Sequence, residues 1–234
     1  MKLLRLARPQ ATDNCLDLGS GAGHTAARLA RHAGIVYALD PAPGMREVAQ
    51  QLYGHLGNLH IIGGLGEDTG FPDATFDLVT ARHTLHHHRD VSASLREIKR
   101  VLTPGGRLVI VDEITPEPQV AAWYHVLESR RDPTHVRAYL VSEWEAMIAN
   151  AGLDWVVGDN RTRYHIDVAQ WLERMQLPES GIAAVHEQFR QANEYARACF
   201  NLRFQEDRVV SFEMPMILIL AVRPTSKGDT WTTP

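Results

Sequence analysis

Three glycines alternate in the stretch Asp17-Leu18-Gly19-Ser20-Gly21-Ala22-Gly23-His24-Thr25. An apolar run, Cys15-Leu16-Asp17-Leu18, feeds this turn, and a helical pattern follows it. Glycines let a chain turn tightly and let a ligand approach main-chain atoms that a side chain would cover. The following helix start offers unpaired N–H groups beside a bound molecule. The chemistry implied is nucleotide-type cofactor binding at a strand–helix turn. Asp17 stands two residues before the first glycine, and Asp40 ends the next strand-like run, Ile35-Val36-Tyr37-Ala38-Leu39. A carboxylate at that second position can accept both hydroxyls of a ribose. The alternative for Asp40 is to cap the helix that begins near Gly44. The dinucleotide pattern G-x-G-x-x-G fits poorly, because His24 occupies the place of its third glycine, and no pyrophosphate clamp is visible.

The elements that must position these residues follow from periodicity. Strands are expected at about 14–19, 35–40, 59–64, 76–82 and 107–113, with helices near 23–33, 44–55 and 91–102. This alternation is the signature of a parallel sheet with crossover helices, an α/β fold. The second half is less regular. Helical runs are expected at Val120 to Arg130 and Ser142 to Ala151, then a strand at Leu153 to Val157. A long insertion at about 164–208, with two helical patterns, precedes a last strand at about Val209 to Val222, where Pro215 marks an irregularity. The whole of 1–234 reads as one domain, with 164–208 as a helical cap inserted in it. The polar tail after Pro224 is expected to fray.

Composition narrows the partners. The chain has 234 residues, 44% hydrophobic and 22% charged, with a formal net charge of -4 and no long basic run. That argues against nucleic acid or an anionic membrane as the main partner. The two cysteines, Cys15 and Cys199, form no disulfide framework or metal spacing. With no signal-peptide core and no apolar run of membrane-spanning length, a reducing cytoplasm is the expected setting.

Histidines crowd one segment: His83, His86, His87 and His88. Neighbours on a regular backbone point different ways, so they cannot all serve one site. No H-E-x-x-H or carboxylate cluster accompanies them, and no metal is expected. An imidazole titrates near neutrality, so His86 or His87 is the candidate general base; the alternative is that they shape a pocket wall.

Several blocks, taken in order, resemble class I S-adenosylmethionine-dependent methyltransferases. The Asp17 to Gly23 turn resembles that family's first motif and Asp40 its ribose-binding acid. Phe71-Pro72-Asp73-Ala74-Thr75-Phe76-Asp77-Leu78-Val79 resembles the segment leading into the fourth strand. Leu85-His86-His87, with Leu95 through Leu108 (including Thr103-Pro104-Gly105-Gly106), resembles the branch of quinone-biosynthesis C-methyltransferases. The matches cover roughly residues 10–115; the second half resembles poorly characterised members through Arg131-Asp132-Pro133-Thr134-His135. The resemblance implies a Rossmann-like seven-stranded sheet, order 3-2-1-4-5-7-6, with the last strand antiparallel. It implies S-adenosyl-L-methionine as cofactor, S-adenosyl-L-homocysteine as product and a small organic methyl acceptor. Expected cofactor contacts are Asp17, Gly19, Ser20, Gly21, Gly23, Asp40, Pro41, Met45, Gly66, Glu67, Arg82 and His83. Two departures stand out. Leu65 replaces the acid that relatives place after the third strand, leaving adenine to the Gly66 backbone and to Glu67 or Asp68. Only about a dozen residues precede the first strand, where relatives usually carry one or two helices. Those departures keep a non-methylating S-adenosylmethionine-binding protein open as an alternative, with a nicotinamide-dependent oxidoreductase behind it.

Overall fold

The predicted strands of the first half become parallel strands, and the central ones, Asn14–Leu18 and Phe76–Arg82, are buried because their residues are mostly apolar on both faces. The computed structural model describes residues 2–225. In chain order the elements are α1 (Lys2–Ala7), β1 (Asn14–Leu18), α2 (His24–Leu29), β2 (Ile35–Leu39), α3 (Pro43–Tyr53), β3 (Leu59–Ile62), β4 (Phe76–Arg82), α4 (Val91–Val101) and β5 (Leu102–Glu113). There follow α5 (Pro118–Arg131), α6 (Val141–Asn150), β6 (Asp154–Asp159), β7 (Arg163–Asp167), α7 (Val168–Glu173), α8 (Glu179–Arg190), α9 (Glu194–Cys199), β8 (Arg203–Gln205) and β9 (Arg208–Val222).

The chain forms two compact units. Among the described residues, one contains 2–112, Trp144–Asp159 and 218–225; the other contains Glu113–Glu143 and Asn160–Ile217. The 164–208 segment is therefore not a unit by itself, since it folds together with 113–143.

In the first unit the strand order is β3-β2-β1-β4-β5-β9-β6, with β9 antiparallel to β6. This is the order the resemblance implied, with β9 as the seventh strand. Leu16, Val36, Leu78 and Val79 are fully buried. The chain winds from β1 outward to β3 and then returns beside β1 as β4, so the turns after β1 and β4 open at one sheet end. Such a reversal leaves a crevice at the carboxyl ends of the strands. β5 starts at Leu102 rather than near 107, because Leu102 pairs with Phe76 and the Gly105–Gly106 turn bonds to Arg223. The helix α2 stops at Leu29, shorter than the pattern suggested.

In the second unit β7 and β8 pair antiparallel with the first part of β9. Pro215 lies in register with Arg163, and the strand runs through it. Trp171 and Phe189 pack on Phe212 with ring centroids 5.1 and 5.5 Å apart, and Tyr124 packs on Phe200 at 4.6 Å.

One network holds the loop after β3. Glu97 of α4, only 9% exposed, accepts the Thr69 N–H (2.9 Å), the Thr69 hydroxyl (2.6 Å) and the Arg100 guanidinium (2.7 Å). Arg100 also bonds the Phe71 carbonyl and Asp73. The Arg100 and Thr69 donors hold the Glu97 carboxyl down at about 2. Charge-assisted bonds of this kind contribute about 1.5–3 kcal/mol. Glu97→Ala is expected to lower urea-unfolding stability by about that amount. Since the folded pKa lies below the unfolded one, this stability is present above pH 4.5 and is lost as pH falls toward 2. The variant should lack that part of the acid dependence.

Candidate cofactor and active site

The turn after β1 uses its three glycines for three different purposes. Gly23 begins α2 at φ +79°, and a Cβ there would press on Ala49 of α3 at 3.2 Å. A Cβ on Gly19 would fall 1.8 Å from the Thr84 hydroxyl. At Gly21, φ is +52° and nothing lies within 4 Å of the Cβ position. No protein atom occupies the space beside Gly21. α2, at six residues, is a short helix, so the site rests on side chains and turn backbone more than on a helix end.

Asp17, Gly19, Ser20, Gly21, Arg82 and His83 wall a cavity of about 200 Å³ at this sheet end. Asp17 is 1% exposed; its Oδ1 accepts the Thr80 hydroxyl at 2.6 Å, and its Oδ2 has no partner. The Ser20 hydroxyl is likewise buried without a partner. Burial, only partly offset by the Thr80 bond, pushes the Asp17 carboxyl up to about 7. Arg82 ends β4 and its charge bears on Asp17. His83 has φ +51°, and its N–H donates to the Val111 carbonyl. Burial pushes its imidazole down to about 4, so it is neutral at physiological pH.

Asp40 braces this wall. Its Oδ2 accepts the Gly21 N–H at 2.7 Å and its Oδ1 accepts the Ala42 N–H at 2.9 Å. Each carboxylate oxygen retains capacity for a further donor, so capping and ribose binding are compatible at one residue. Arg46 bonds the carbonyls of Asp40 and Pro41 at 2.8 and 2.9 Å. Met45 is 50% exposed and Leu65 57%, and neither lines the cavity. Gly66 is packed against His88, whose Cε1 would lie 2.3 Å from a Cβ there. The Glu67 carboxylate faces His88 Nδ1 at 3.9 Å.

The histidines separate as their directions require. His88 bonds Ser94 at 2.7 Å and serves packing. His86 and His87 share a 3₁₀ turn, Leu85–His87, with ring centroids 4.0 Å apart. His86 Nδ1 lies 2.5 Å from Oδ1 of Asp112, and the Leu85 N–H donates to the other Asp112 oxygen at 2.9 Å. Asp112 is fully buried near the end of β5. Sequence reasoning missed Asp112 and Thr84. The available signal for Asp112 was an acid at the end of a predicted strand beside the histidine-bearing one.

Residues 16–110 match the methyltransferase domain family. The chain belongs to that family and is an S-adenosylmethionine-dependent methyltransferase. It is 31% identical over 225 residues to the Uncharacterized methyltransferase YcgJ of Bacillus subtilis, covering 94% of this chain and 88% of that protein. The crystal structure of YcgJ superposes with a TM-score of 0.89, covering 96% and 97% of the two chains. A Bacillus halodurans structure, 27% identical, gives a TM-score of 0.91 with 96% and 98% covered. The ubiquinone/menaquinone biosynthesis C-methyltransferase UbiE of Rubrivivax gelatinosus is 32% identical over 127 residues, 53% of this chain and 49% of that protein.

The residues present fit the cofactor. The open Asp17 oxygen and the Ser20 hydroxyl suit an ammonium, Arg82 suits a carboxylate, and Gly21 leaves the approach clear.

Gly21→Val fills the open approach and strains a positive φ, so calorimetry should show loss of S-adenosylhomocysteine binding while circular dichroism shows a folded protein. Asp17 takes up a proton on folding, since its folded pKa is raised. The stability this gives is present at low pH and lost as pH rises toward 7. Asp17→Asn should therefore melt higher than the native chain above neutrality, by a margin that shrinks toward acid. An ammonium favours ionised Asp17, so native affinity for S-adenosylhomocysteine should fall as pH drops below about 7. In Asp17→Asn this dependence should vanish and affinity be weak.

Proposed function

We propose that the methyl acceptor is a small organic molecule and that His86, held by Asp112, is the base that takes its proton. The observation that carries the reading is the 2.5 Å contact between His86 Nδ1 and the buried Asp112 carboxylate. The turn bearing His86 follows β4, and Asp112 stands near the carboxyl end of β5, at the sheet end where the glycine turn also opens. A net charge of -4 and the absence of a basic run favour a small molecule over nucleic acid.

The bound cofactor supplies an activated methyl group. The chain's own task is then alignment, exclusion of water and removal of a proton. Asp17 and Arg82 orient the amino-acid end of the cofactor, and Asp40 receives the ribose hydroxyls. Asp112 accepts from His86 Nδ1–H and so fixes the tautomer, and Nε2 is assigned as the nitrogen that takes the acceptor's proton. Asp112 also stabilises the imidazolium so formed. His87 packs beside the ring. A cytoplasmic setting is supported by the two free cysteines. The thiol of Cys15, fully buried, is pushed up to about 12 by burial and is unreactive. Among the described residues no helix is long and apolar enough to cross a membrane.

The test uses labelled S-adenosylmethionine and a fractionated extract of bacterial metabolites. The native protein should label a small-molecule fraction. His86→Ala should lower turnover about 10²–10⁴-fold, the usual range for a general base, with S-adenosylhomocysteine affinity unchanged. Asp112→Asn should lower turnover less and abolish the deshielded Nδ1 proton of His86 in NMR spectra. Full turnover in His86→Ala would remove the assigned role.

A further inference from the structure

The second unit holds a cavity of about 600 Å³ beside α8, remote in chemistry from anything assigned above. Glu179, Ile182, Ala183, His186 and Arg190 line it at helical spacing along one face of α8, and Arg208, the first residue of β9, closes it.

The cations here are not equally satisfied. Arg190 is committed to Glu187, with bonds of 2.9 and 2.6 Å to one carboxylate oxygen. Arg208 makes no ion pair or side-chain hydrogen bond among the described residues. His186 Nδ1 is buried and has no hydrogen-bond partner. Glu179 also lines the cavity, and the charges that bear on the His186 ring are those of Arg208 and Arg190. Burial and these two guanidiniums push the His186 pKa down. An unpaired guanidinium, a half-buried imidazole and a small apolar floor line one cavity and together describe a recognition site for an acid group.

We propose that this cavity binds a small organic anion, a carboxylate or phosphate monoester, whose acid group is received by Arg208 and His186 and whose apolar part lies on Ile182 and Ala183. Binding draws a proton onto His186, because the anion offsets the arginine charges that disfavour its imidazolium. The other groups facing the ring's surroundings are Glu179, Glu187 and Arg190 of α8, and Arg130 of α5, which bonds the Ala184 carbonyl at 2.9 Å. None of them is an open acceptor paired to His186.

The experiment titrates the full chain with phenyl phosphate, benzoate and benzyl alcohol, followed by calorimetry and by NMR of the His186 ring. Binding of either anion, with a rise in the His186 pKa on saturation and no binding of benzyl alcohol, is the expected result. The tighter of the two anions identifies the acid group. Arg208→Gln, a change at an exposed side chain, should weaken anion binding at least about tenfold, the loss expected for a charge-assisted bond. Affinity for S-adenosylhomocysteine should be unchanged in that variant, which separates this site from the cofactor site. No binding of either anion at millimolar concentration, equal uptake of benzyl alcohol, or unaltered anion affinity in Arg208→Gln would each overturn the assignment.

Discussion

The Asp40 carboxylate is the constraint on which the site depends. One oxygen holds the Gly21 N–H and the other the Ala42 N–H, so a single side chain fixes the turn after β1 and the start of α3 together. A glycine turn alone is a flexible object, because each glycine loses much freedom on folding. Anchoring it to a strand-end acid replaces that freedom with a defined geometry. Arg46 completes the brace by taking the carbonyls of Asp40 and Pro41. The acid is then oriented before any ligand arrives, which is the condition for binding without reorganisation.

Around this brace the first unit carries unsatisfied polarity at a stated place. Asp17 is buried in a sheet otherwise made of Leu16, Val36, Leu78 and Val79, with one oxygen unpaired. Such a group disfavours folding in its charged form. The Ser20 hydroxyl beside the same cavity is also buried without a partner. Stability and binding draw on the same carboxylate in opposite directions.

Much of the first unit was legible in the sequence because its signals are local. Apolar runs ending in glycine or an acid placed β1 and β2, and ordered motifs placed the turn, Asp40 and β4. Asp112 was legible only as a strand-end acid, since nothing in spacing says that it meets a turn 26 residues earlier. The fate of the four histidines was equally tertiary: Ser94 takes His88, and Asp112 takes His86. In the second half, two helical patterns were expected across 164–208, whereas α7, α8, α9 and the strands β7 and β8 occupy it. β7 alternates exposed and half-buried residues and β8 has three residues, so neither has a hydrophobic run to announce it. Of the large aromatics in the second half, Tyr124, Trp144 and Trp171 are buried, while Tyr195 is 46% exposed.

The contact between Gly19 and Thr84 has an implication for how such sequences can change. A side chain at 19 would occupy the very volume of the Thr84 hydroxyl, and Thr84 immediately precedes the turn that carries His86. The two positions are therefore not independent characters. Enlargement at 19 alone collides with the Thr84 side chain and strains a backbone held at φ +62°, so a reduction at 84 relieves the collision but not the strain. Drift at the cofactor turn and drift at the histidine turn are thereby yoked, so a lineage that remodels one inherits a constraint on the other.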